Sequence, residues 1–255
     1  MTDDKTTELV RYEERARRAL RESASARTQW GSGALSKTVA APYRHFEARV
    51  RSVTRSSHHV LELGAGGGIH TETLLTTGAL VTATDISPAS VELLRRDLEP
   101  RFPGRLIARV ADMEALPFEA ATFDVVVCAG SLSYGDGAIV DAEVRRVLRP
   151  GGTFVCVDSL DHNPIYRFNR LIQYVRGARS WNTIRRMPDL RRIEAFRPYY
   201  ESVDVQYFGA LTWAMPALAR LLGADRAAAL SDRVDRLLRV RRSAFKFVLV
   251  ASGRR

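Results

Sequence analysis

The sequence has only two cysteines, Cys128 and Cys156, among 255 residues. A small disulfide-stabilised domain carries far more, so this class is excluded and a reducing compartment is indicated. No apolar run approaches the roughly 18 residues that a membrane-spanning helix needs. Residues 1–4 are polar and acidic, unlike the start of a secretory signal. These absences predict a cytoplasmic protein without a transmembrane segment.

Lysine is also scarce, since Lys5, Lys37 and Lys246 are the only three among 39 cationic side chains. The net charge of +10 is divided unevenly: residues 1–157 hold 20 basic and 20 acidic side chains, and residues 158–255 hold 19 and 9. An arginine-rich genome accounts for the choice of arginine but not for this asymmetry. A basic half can serve an acidic substrate, a nucleic acid or a membrane surface. We expect an anionic group on or near the molecule that this half meets.

The remaining composition, 45% hydrophobic and 27% charged, is that of a globular domain. Between residues 58 and 157, short β-branched runs alternate with helical patterns. The runs are residues 60–63, 80–85, 106–110, 123–128 and 153–157, and the helical patterns are residues 70–75, 89–98 and 138–148. This alternation predicts a parallel α/β sheet.

The pattern changes after Asp158. Residues 160–200 are aromatic, arginine-rich and helical in tendency. Residues 203–208 alternate like a strand, a long helical region is predicted from about Trp213 to Val240, and residues 244–250 read as a closing strand.

A glycine-rich segment follows the first predicted strand, with Gly64, Gly66 and Gly68 at alternate positions. A strand that ends in glycines before a helix brings backbone N–H groups close to a ligand, because no Cβ blocks the approach. The dinucleotide fingerprint G-x-G-x-x-G requires glycine at position 69, which is Ile69. This difference disfavours a dehydrogenase.

Acidic residues follow the second and third predicted strands. Asp85 can accept hydrogen bonds from two hydroxyls of a ribose, or it can be a charge at the start of the helix after Pro88. Asp112 can bind an adenine amino group while Met113 packs on the ring, or it can be a solvated loop residue.

Together these segments resemble the class I S-adenosylmethionine-dependent methyltransferases. The matching motifs are Leu61-Glu62-Leu63-Gly64-Ala65-Gly66-Gly67-Gly68, Thr84-Asp85-Ile86-Ser87, Ala111-Asp112-Met113-Glu114-Ala115-Leu116-Pro117-Phe118, Phe123-Asp124-Val125-Val126 and Val147-Leu148-Arg149-Pro150-Gly151-Gly152.

The resemblance implies a Rossmann-like, seven-stranded, mostly parallel sheet with an antiparallel last strand. It also implies S-adenosylmethionine as cofactor and S-adenosylhomocysteine as product. By this resemblance Glu62 and Gly64 line the methionine part, Asp85 holds the ribose, and Asp112 with Met113 holds the adenine. The full set of implied cofactor-binding residues is Glu62, Gly64, Gly66, Gly68, Asp85, Ile86, Asp112 and Met113.

A weaker resemblance concerns the small-molecule branch of this family (UbiE-type, polysaccharide-pathway and secondary-metabolite methyltransferases). It rests on His162-Asn163-Pro164-Ile165-Tyr166-Arg167, Arg185-Arg186-Met187-Pro188 and Tyr207-Phe208-Gly209. The implied organisation is an N-terminal helical cap over the active site (1–57), a cofactor-binding core (58–157), a helical insertion on the substrate side (158–200) and a part that completes the sheet (201–255).

Two residues are the candidate catalytic groups. His162 follows the fifth strand, at the edge where open α/β sheets bind ligands, and is the candidate general base; the alternative is a histidine that caps the turn at Asn163. Tyr134 follows the fourth strand and can orient the acceptor or pack beneath the insertion. His70 either faces the cofactor or is simply a first-turn residue.

The candidate substrate-binding residues are Tyr134, His162, Tyr166 and Arg170, of which the last two share a helix face by spacing. Asp158 and Asp161 could supply hard metal ligands, but no carboxylate follows the fourth strand, so no metal is expected.

The sequence therefore predicts a methyltransferase that acts on the hydroxyl or amine of a small molecule, a sugar or a secondary-metabolite intermediate, which can carry an anionic group. A nucleic-acid methyltransferase is the alternative, supported by the basic charge. It is disfavoured because no Asn-Pro-Pro-Tyr-like motif follows the fourth strand. A third alternative, a binding protein that keeps the cofactor fold without catalysis, is disfavoured by the intact glycine segment.

Overall fold

A computed structural model describes residues 3–22, 34–163, 166–168, 171–172, 181–238, 241 and 243–255. Its centre is a seven-stranded sheet in the order β3-β2-β1-β4-β5-β7-β6. The strands are β1 (His59–Leu63), β2 (Leu80–Asp85), β3 (Leu106–Val110), β4 (Phe123–Ala129), β5 (Leu148–Ser159), β6 (Tyr200–Phe208) and β7 (Lys246–Arg254).

Strands β1 to β5 pair in parallel, and β7 runs antiparallel to both β5 and β6. The predicted fold class, a mostly parallel seven-stranded sheet with an antiparallel last strand, is confirmed. The strand order reverses between β1 and β4, and an open α/β sheet binds its ligand at such a point.

Helices cover both faces of the sheet, so the central strands are buried on both sides. The helices are α1 (Asp3–Arg21), α2 (Ala34–Val53), α3 (Thr71–Leu75), α4 (Pro88–Leu98), α5 (Gly137–Val147), α6 (Trp181–Arg185), α7 (Leu190–Glu194), α8 (Met215–Leu222) and α9 (Ala224–Leu238). Helices α2, α3 and α4 pack on one face, and α5 and α7 pack on the other.

The start of α4 shows how the local sequence places an element. The side chain of Ser87 accepts a hydrogen bond from the backbone N–H of Ser90, and Pro88 is the first helical residue. Both features satisfy or remove backbone donors that a helix start leaves unpaired. The local sequence Ser87-Pro88 therefore sets where α4 begins.

The helical region predicted from about Trp213 to Val240 contains two helices. Helix α8 ends at Leu222, and α9 begins at Ala224. Gly223 between them has φ +80°, which no helical residue adopts and which glycine adopts without a steric penalty.

The two cysteines lie side by side, because Cys128 of β4 pairs with Cys156 of β5. Both side chains are free thiols and fully buried. Burial raises the pKa of Cys128 to about 12. Both cysteines are core residues.

No helix in the described part of the chain is long and apolar enough to cross a membrane.

Candidate functional site

A cavity of about 400 Å³ lies at the carboxyl ends of β1, β2 and β4. It is therefore at the point where the strand order reverses. The glycine segment, residues that follow β2, β3 and β4, and residues of α1 and α2 line it. This is the position at which the fold offers a ligand site.

The alternate glycines of this segment have different surroundings. A Cβ on Gly64 (φ +62°) would lie 2.5 Å from the Ser131 hydroxyl oxygen, whereas one on Gly66 (φ +54°) would meet no atom within 4 Å. A Cβ on Gly68 would lie 2.6 Å from Leu94, and Gly68 does not line the cavity. Gly66 thus keeps space open for a ligand, while Gly64 and Gly68 allow close packing.

Glu62 reaches the cavity from β1, and its side chain is almost completely buried. Its Oε2 accepts a hydrogen bond of 2.5 Å from the hydroxyl of Thr71, the first residue of α3. Burial raises the pKa of Glu62 to about 8, since the charged form is poorly solvated there and Asp85 adds like charge. A cation in the cavity would favour the ionised carboxylate.

Asp85 links the glycine segment to the start of α4. Its Oδ2 accepts from the N–H of Gly66 at 2.8 Å, and its Oδ1 accepts from the N–H of Ser87 at 2.9 Å. Burial raises the pKa of Asp85, although these backbone hydrogen bonds oppose the shift. Asp85 and the adjacent Ile86 both line the cavity.

Asp112 and Met113 follow β3 and line the cavity together. The N–H of Glu114 donates to Asp112 Oδ1 at 2.9 Å, which fixes the tight turn. Four predicted cofactor-binding residues from the ends of three strands therefore meet at one cavity: Glu62, Gly64, Asp85 and Asp112.

Helix α1 supplies residues that sequence reasoning missed. The phenol of Tyr12 contacts that of Tyr134, and both line the cavity. Glu13 accepts hydrogen bonds from the Ser87 hydroxyl at 2.5 Å and the Ala89 N–H at 3.1 Å. The signal was the buried helical stripe that includes Ala16 and Ala19, but a stripe does not say which surface it covers.

An aromatic group on α2 forms a further part of the wall. The Tyr43 ring stacks on His70 with ring centroids 5.3 Å apart, and both line the cavity. The His70 Nδ1 lies 3.1 Å from Glu47 Oε1. The Lys246 ammonium donates to the Tyr43 hydroxyl at 3.0 Å. His70 thus faces the cavity and is also the cap residue of α3.

Comparison with known proteins shows that much of the cavity lies in a segment that matches a protein family. Residues 61–156 match the family described as "Methyltransferase domain". Residues 61–156 are called the methyltransferase domain after this match. It contains the glycine segment, Asp85, Asp112 and the strand β4.

Two curated relatives are similar to part of this chain. A demethylmenaquinone methyltransferase of Tropheryma whipplei is 35% identical over 140 residues, which are 53% of this chain and 56% of the relative. A ubiquinone biosynthesis O-methyltransferase of Coxiella burnetii is 28% identical over 103 residues, which are 40% of this chain and 44% of the relative. The chain spans about half the length of the curated relatives it matches.

A solved structure extends the likeness in fold beyond the methyltransferase domain. The geranyl diphosphate C-methyltransferase of Streptomyces coelicolor A3(2), in complex with Mg2+, geranyl diphosphate and S-adenosyl-L-homocysteine, has a TM-score of 0.57 at 19% identity. The match covers 86% of this chain and 82% of that chain.

Some of the candidate catalytic and substrate-binding residues do not line the cavity. His162 lies half-buried in the turn after β5 and does not line the cavity. Tyr166 does not line it either, and its hydroxyl lies 3.1 Å from the Ser159 hydroxyl. Arg170 lies outside the described residues.

The positive charge at the cavity comes from an unexpected part of the chain. Among the described residues, one cationic side chain lines the cavity. It is Arg15, which belongs to the electrically neutral half, residues 1–157. The described residues of the basic half supply none. Arg192, for example, forms a buried pair with Asp141 at 2.7 Å and holds α7 against α5.

The described residues contain no group of three or more histidine, cysteine, aspartate or glutamate side chains placed to hold a metal ion.

Proposed function

We propose that the protein is an S-adenosylmethionine-dependent methyltransferase that acts on a small molecule. The observation that carries this proposal is one cavity in which the glycine segment, Glu62 and Asp85 meet two phenols, Tyr12 and Tyr134. The first group suits the cofactor, and the phenols suit a polar acceptor beside it.

The cavity walls fit the cofactor by chemistry. The open face of Gly66 leaves room against the backbone, and Asp85 retains lone pairs for ribose hydroxyls after its two backbone hydrogen bonds. Asp112 and Met113 offer an acceptor and an apolar face to adenine. Glu62 offers a carboxylate to the cationic methionine part. When bound, S-adenosylmethionine supplies an electrophilic methyl group on its sulfonium.

On the acceptor side, the chain's own task is alignment, since holding two reactants in line contributes up to about 7–11 kcal/mol to lowering a barrier. We assign acceptor orientation to Tyr134, whose phenol lines the cavity after β4. His162 as general base and Tyr166 as substrate contact stay predictions, because neither lines the cavity.

The shape of the cavity and the names of the relatives both support a small-molecule acceptor. The cavity is closed on one side by α1 and takes no described residue of the basic half, which disfavours a bulky polyanion. The names of the relatives concern quinone precursors and geranyl diphosphate, which are small molecules. We propose the hydroxyl of such a molecule as the methyl acceptor; an amine and a sugar hydroxyl are the other acceptors to test.

The experiment has two steps. Calorimetry with S-adenosylmethionine should show saturable binding to the purified protein. Release of S-adenosylhomocysteine is then measured with quinols, phenols, nucleotide sugars, amines and bulk RNA. Release with a small acceptor supports the proposal. Release with RNA alone would refute the small-molecule assignment, and absence of cofactor binding would refute the proposal as a whole.

The catalytic assignments are separated by two variants. Tyr134→Phe should lower turnover if the phenol orients the acceptor, and His162→Ala should lower turnover only if His162 reaches the substrate as a base. Full activity of His162→Ala would exclude that role.

A further inference from the structure

The excess positive charge of residues 158–255 lies away from the cavity in the described part of the chain, since no residue of this half lines the cavity there. Helix α9 carries some of this charge on a side that faces solvent. Arg226 and Arg233 are exposed and are separated by about two helical turns. Among the described residues, neither guanidinium forms an ion pair with a carboxylate. Their charge is therefore available to a partner outside the chain.

Two exposed leucines alternate with these arginines along α9. Leu230 is 38% exposed and Leu237 is 72% exposed. The positions 226, 230, 233 and 237 follow each other in steps of four, three and four residues, which keep side chains on one face of a helix. We call this set the α9 outer face; it consists of Arg226, Leu230, Arg233 and Leu237.

The acidic residues of α9 lie away from the outer face by helical spacing. Asp235 is buried, and its carboxylate accepts from the backbone N–H groups of the two residues after β6 at 2.7 and 3.0 Å. Asp232 pairs with Arg44 of α2 at 3.4 Å. Asp225 lies in the first turn, where the positive end of the helix dipole favours a carboxylate. The outer face therefore keeps its positive charge.

The end of α8 adds apolar surface next to the start of α9. Leu221 is 80% exposed, Leu222 is also exposed, and only Gly223 separates them from α9. Arg220 is exposed and has no ion-pair partner among the described residues, and the exposed Trp213 precedes α8. Large apolar side chains are usually exposed singly, whereas a group bordered by polar residues marks an interaction site.

We propose that the α9 outer face and the end of α8 dock on an anionic lipid bilayer. The leucines enter the boundary between headgroups and acyl chains. The arginine guanidiniums bind the lipid phosphates while their aliphatic stems lie along the apolar layer. The two helices lie on the bilayer and do not cross it. This inference goes beyond the proposed function and does not rest on it.

Two other partners fit the surface less well. A nucleic acid attracts arginines through its phosphates, but its backbone offers no apolar layer to exposed leucines. A second copy of this chain, docked by the same face, brings the unpaired arginines of two chains together, and like charges repel. An anionic bilayer meets both the charge and the leucines.

The first test concerns the charge. The protein is mixed with vesicles of phosphatidylcholine alone or of phosphatidylcholine and phosphatidylglycerol, and the bound fraction is measured by flotation. Wild type should bind the anionic vesicles at least about tenfold more tightly than the neutral ones, and rising salt should weaken the binding. The double variant Arg226→Gln/Arg233→Gln should bind the anionic vesicles at least about tenfold more weakly than wild type.

The matched control removes the same charge from the far side of the molecule. Arg105 and Arg109 are exposed at β3, one edge of the sheet, whereas α9 contacts β6 at the other edge. Arg105→Gln/Arg109→Gln should bind the anionic vesicles like wild type. An equal loss in both double variants would show an effect of net charge alone and would overturn the docking surface.

The second test concerns the leucines. Leu237→Gln keeps the charge and the helix propensity of α9 but removes apolar surface, so it should bind anionic vesicles at least about fivefold more weakly. Ile139→Gln, at an exposed position of α5, is its control and should bind like wild type. Urea unfolding midpoints of these variants should match that of wild type, because the side chains are exposed. Unchanged vesicle binding by Leu237→Gln would overturn the docking of the leucines.

The remaining outcomes identify the competing partners. Wild-type protein that binds bulk RNA but no anionic vesicles would overturn the proposal in favour of a nucleic acid. Wild-type protein that binds no vesicles and forms a dimer, which Leu237→Gln converts to a monomer, would overturn it in favour of a second copy. The flotation needs neither cofactor nor acceptor, so its result is independent of whether methyl transfer is found.

Discussion

The phenol oxygens of Tyr12 and Tyr134 lie 2.5 Å apart, although 122 residues separate them in the sequence. One ring belongs to α1 and the other to the turn after β4, and the rings meet edge to face with centroids 5.5 Å apart. Together with the contacts of Glu13 at the start of α4, this pair fixes α1 as a wall of the cavity. Helix α1 therefore forms one side of the cavity.

The first prediction concerns this pair of tyrosines. Tyr12→Phe should weaken S-adenosylhomocysteine binding two- to tenfold, because one hydrogen bond contributes about 0.5–1.5 kcal/mol to holding α1 in place. Calorimetry measures the affinity. Tyr134→Phe removes the same hydrogen bond, so the double variant should bind no more weakly than the weaker single variant. Additive losses would show that the two phenols act separately.

The second prediction concerns Asp85. Asp85→Asn should weaken S-adenosylmethionine binding at least about tenfold, because it removes the charge that strengthens the hydrogen bond from the N–H of Gly66 and those we propose from the ribose hydroxyls. Asp97→Asn, which breaks a partly exposed pair with Arg96 on the same helix, is the control and should leave the affinity unchanged. Equal affinities of wild type and Asp85→Asn would refute the ribose role.

The third prediction separates two glycines of the same segment. Gly64→Ala places a Cβ 2.5 Å from the Ser131 hydroxyl oxygen at φ +62°, so it should lower the free energy of unfolding by about 1–3 kcal/mol or more. Gly66→Ala meets no protein atom within 4 Å, so its cost is that of its positive φ alone, yet its Cβ enters the ligand space. Chemical denaturation and calorimetry together should show Gly64→Ala as the less stable variant and Gly66→Ala as a weak binder. The reverse order would contradict the placement of Gly66.

The fourth prediction follows from the raised pKa of Glu62. The pKa of Glu62 rises from its usual 4.5 to about 8 in the folded protein. Between these two pH values the native state keeps a proton that the unfolded chain has lost. The contribution of Glu62 to stability is therefore complete below pH 4.5 and is lost as the pH rises through about 8. Glu62→Gln should flatten this dependence in urea unfolding measured across that window. A parallel pH profile of wild type and variant would contradict the assignment.

A fifth prediction links the same group to the cofactor. The cationic methionine part favours ionised Glu62, so binding of S-adenosylmethionine near neutral pH should release a proton. Calorimetry in buffers of different ionisation enthalpy counts that proton. Glu62→Gln should show no such release, and equal release in both proteins would mean that another group supplies it.

Features set by neighbouring residues were predictable from the sequence. The cap at Ser87, the end of β2 at Asp85 and the two buried cysteine strands depend on spacing and on side-chain type, which local patterns report. The helical region after Trp213 was predictable from the same kind of pattern, and its division into α8 and α9 depends on the single residue Gly223.

Features set by the packing of distant segments were not predictable in the same way. Nothing local indicates that Glu13 reaches Ser87, or that Lys246 in an apolar strand meets Tyr43 of α2. His162 was chosen as the candidate base because it follows β5 at the carboxyl edge of the sheet, the edge at which the cavity lies. Its place along that edge depends on how the chain leaves β5, and it does not line the cavity.

The position of β7 has a consequence for how the sheet assembles. This strand lies between β5 and β6 although residues 246–254 are synthesised after both. Until these residues have been synthesised, β5 and β6 each have an exposed edge that lacks its neighbouring strand. Completing the sheet then requires a late insertion over a long sequence separation, which is slow and leaves aggregation-prone surfaces open in the nascent chain.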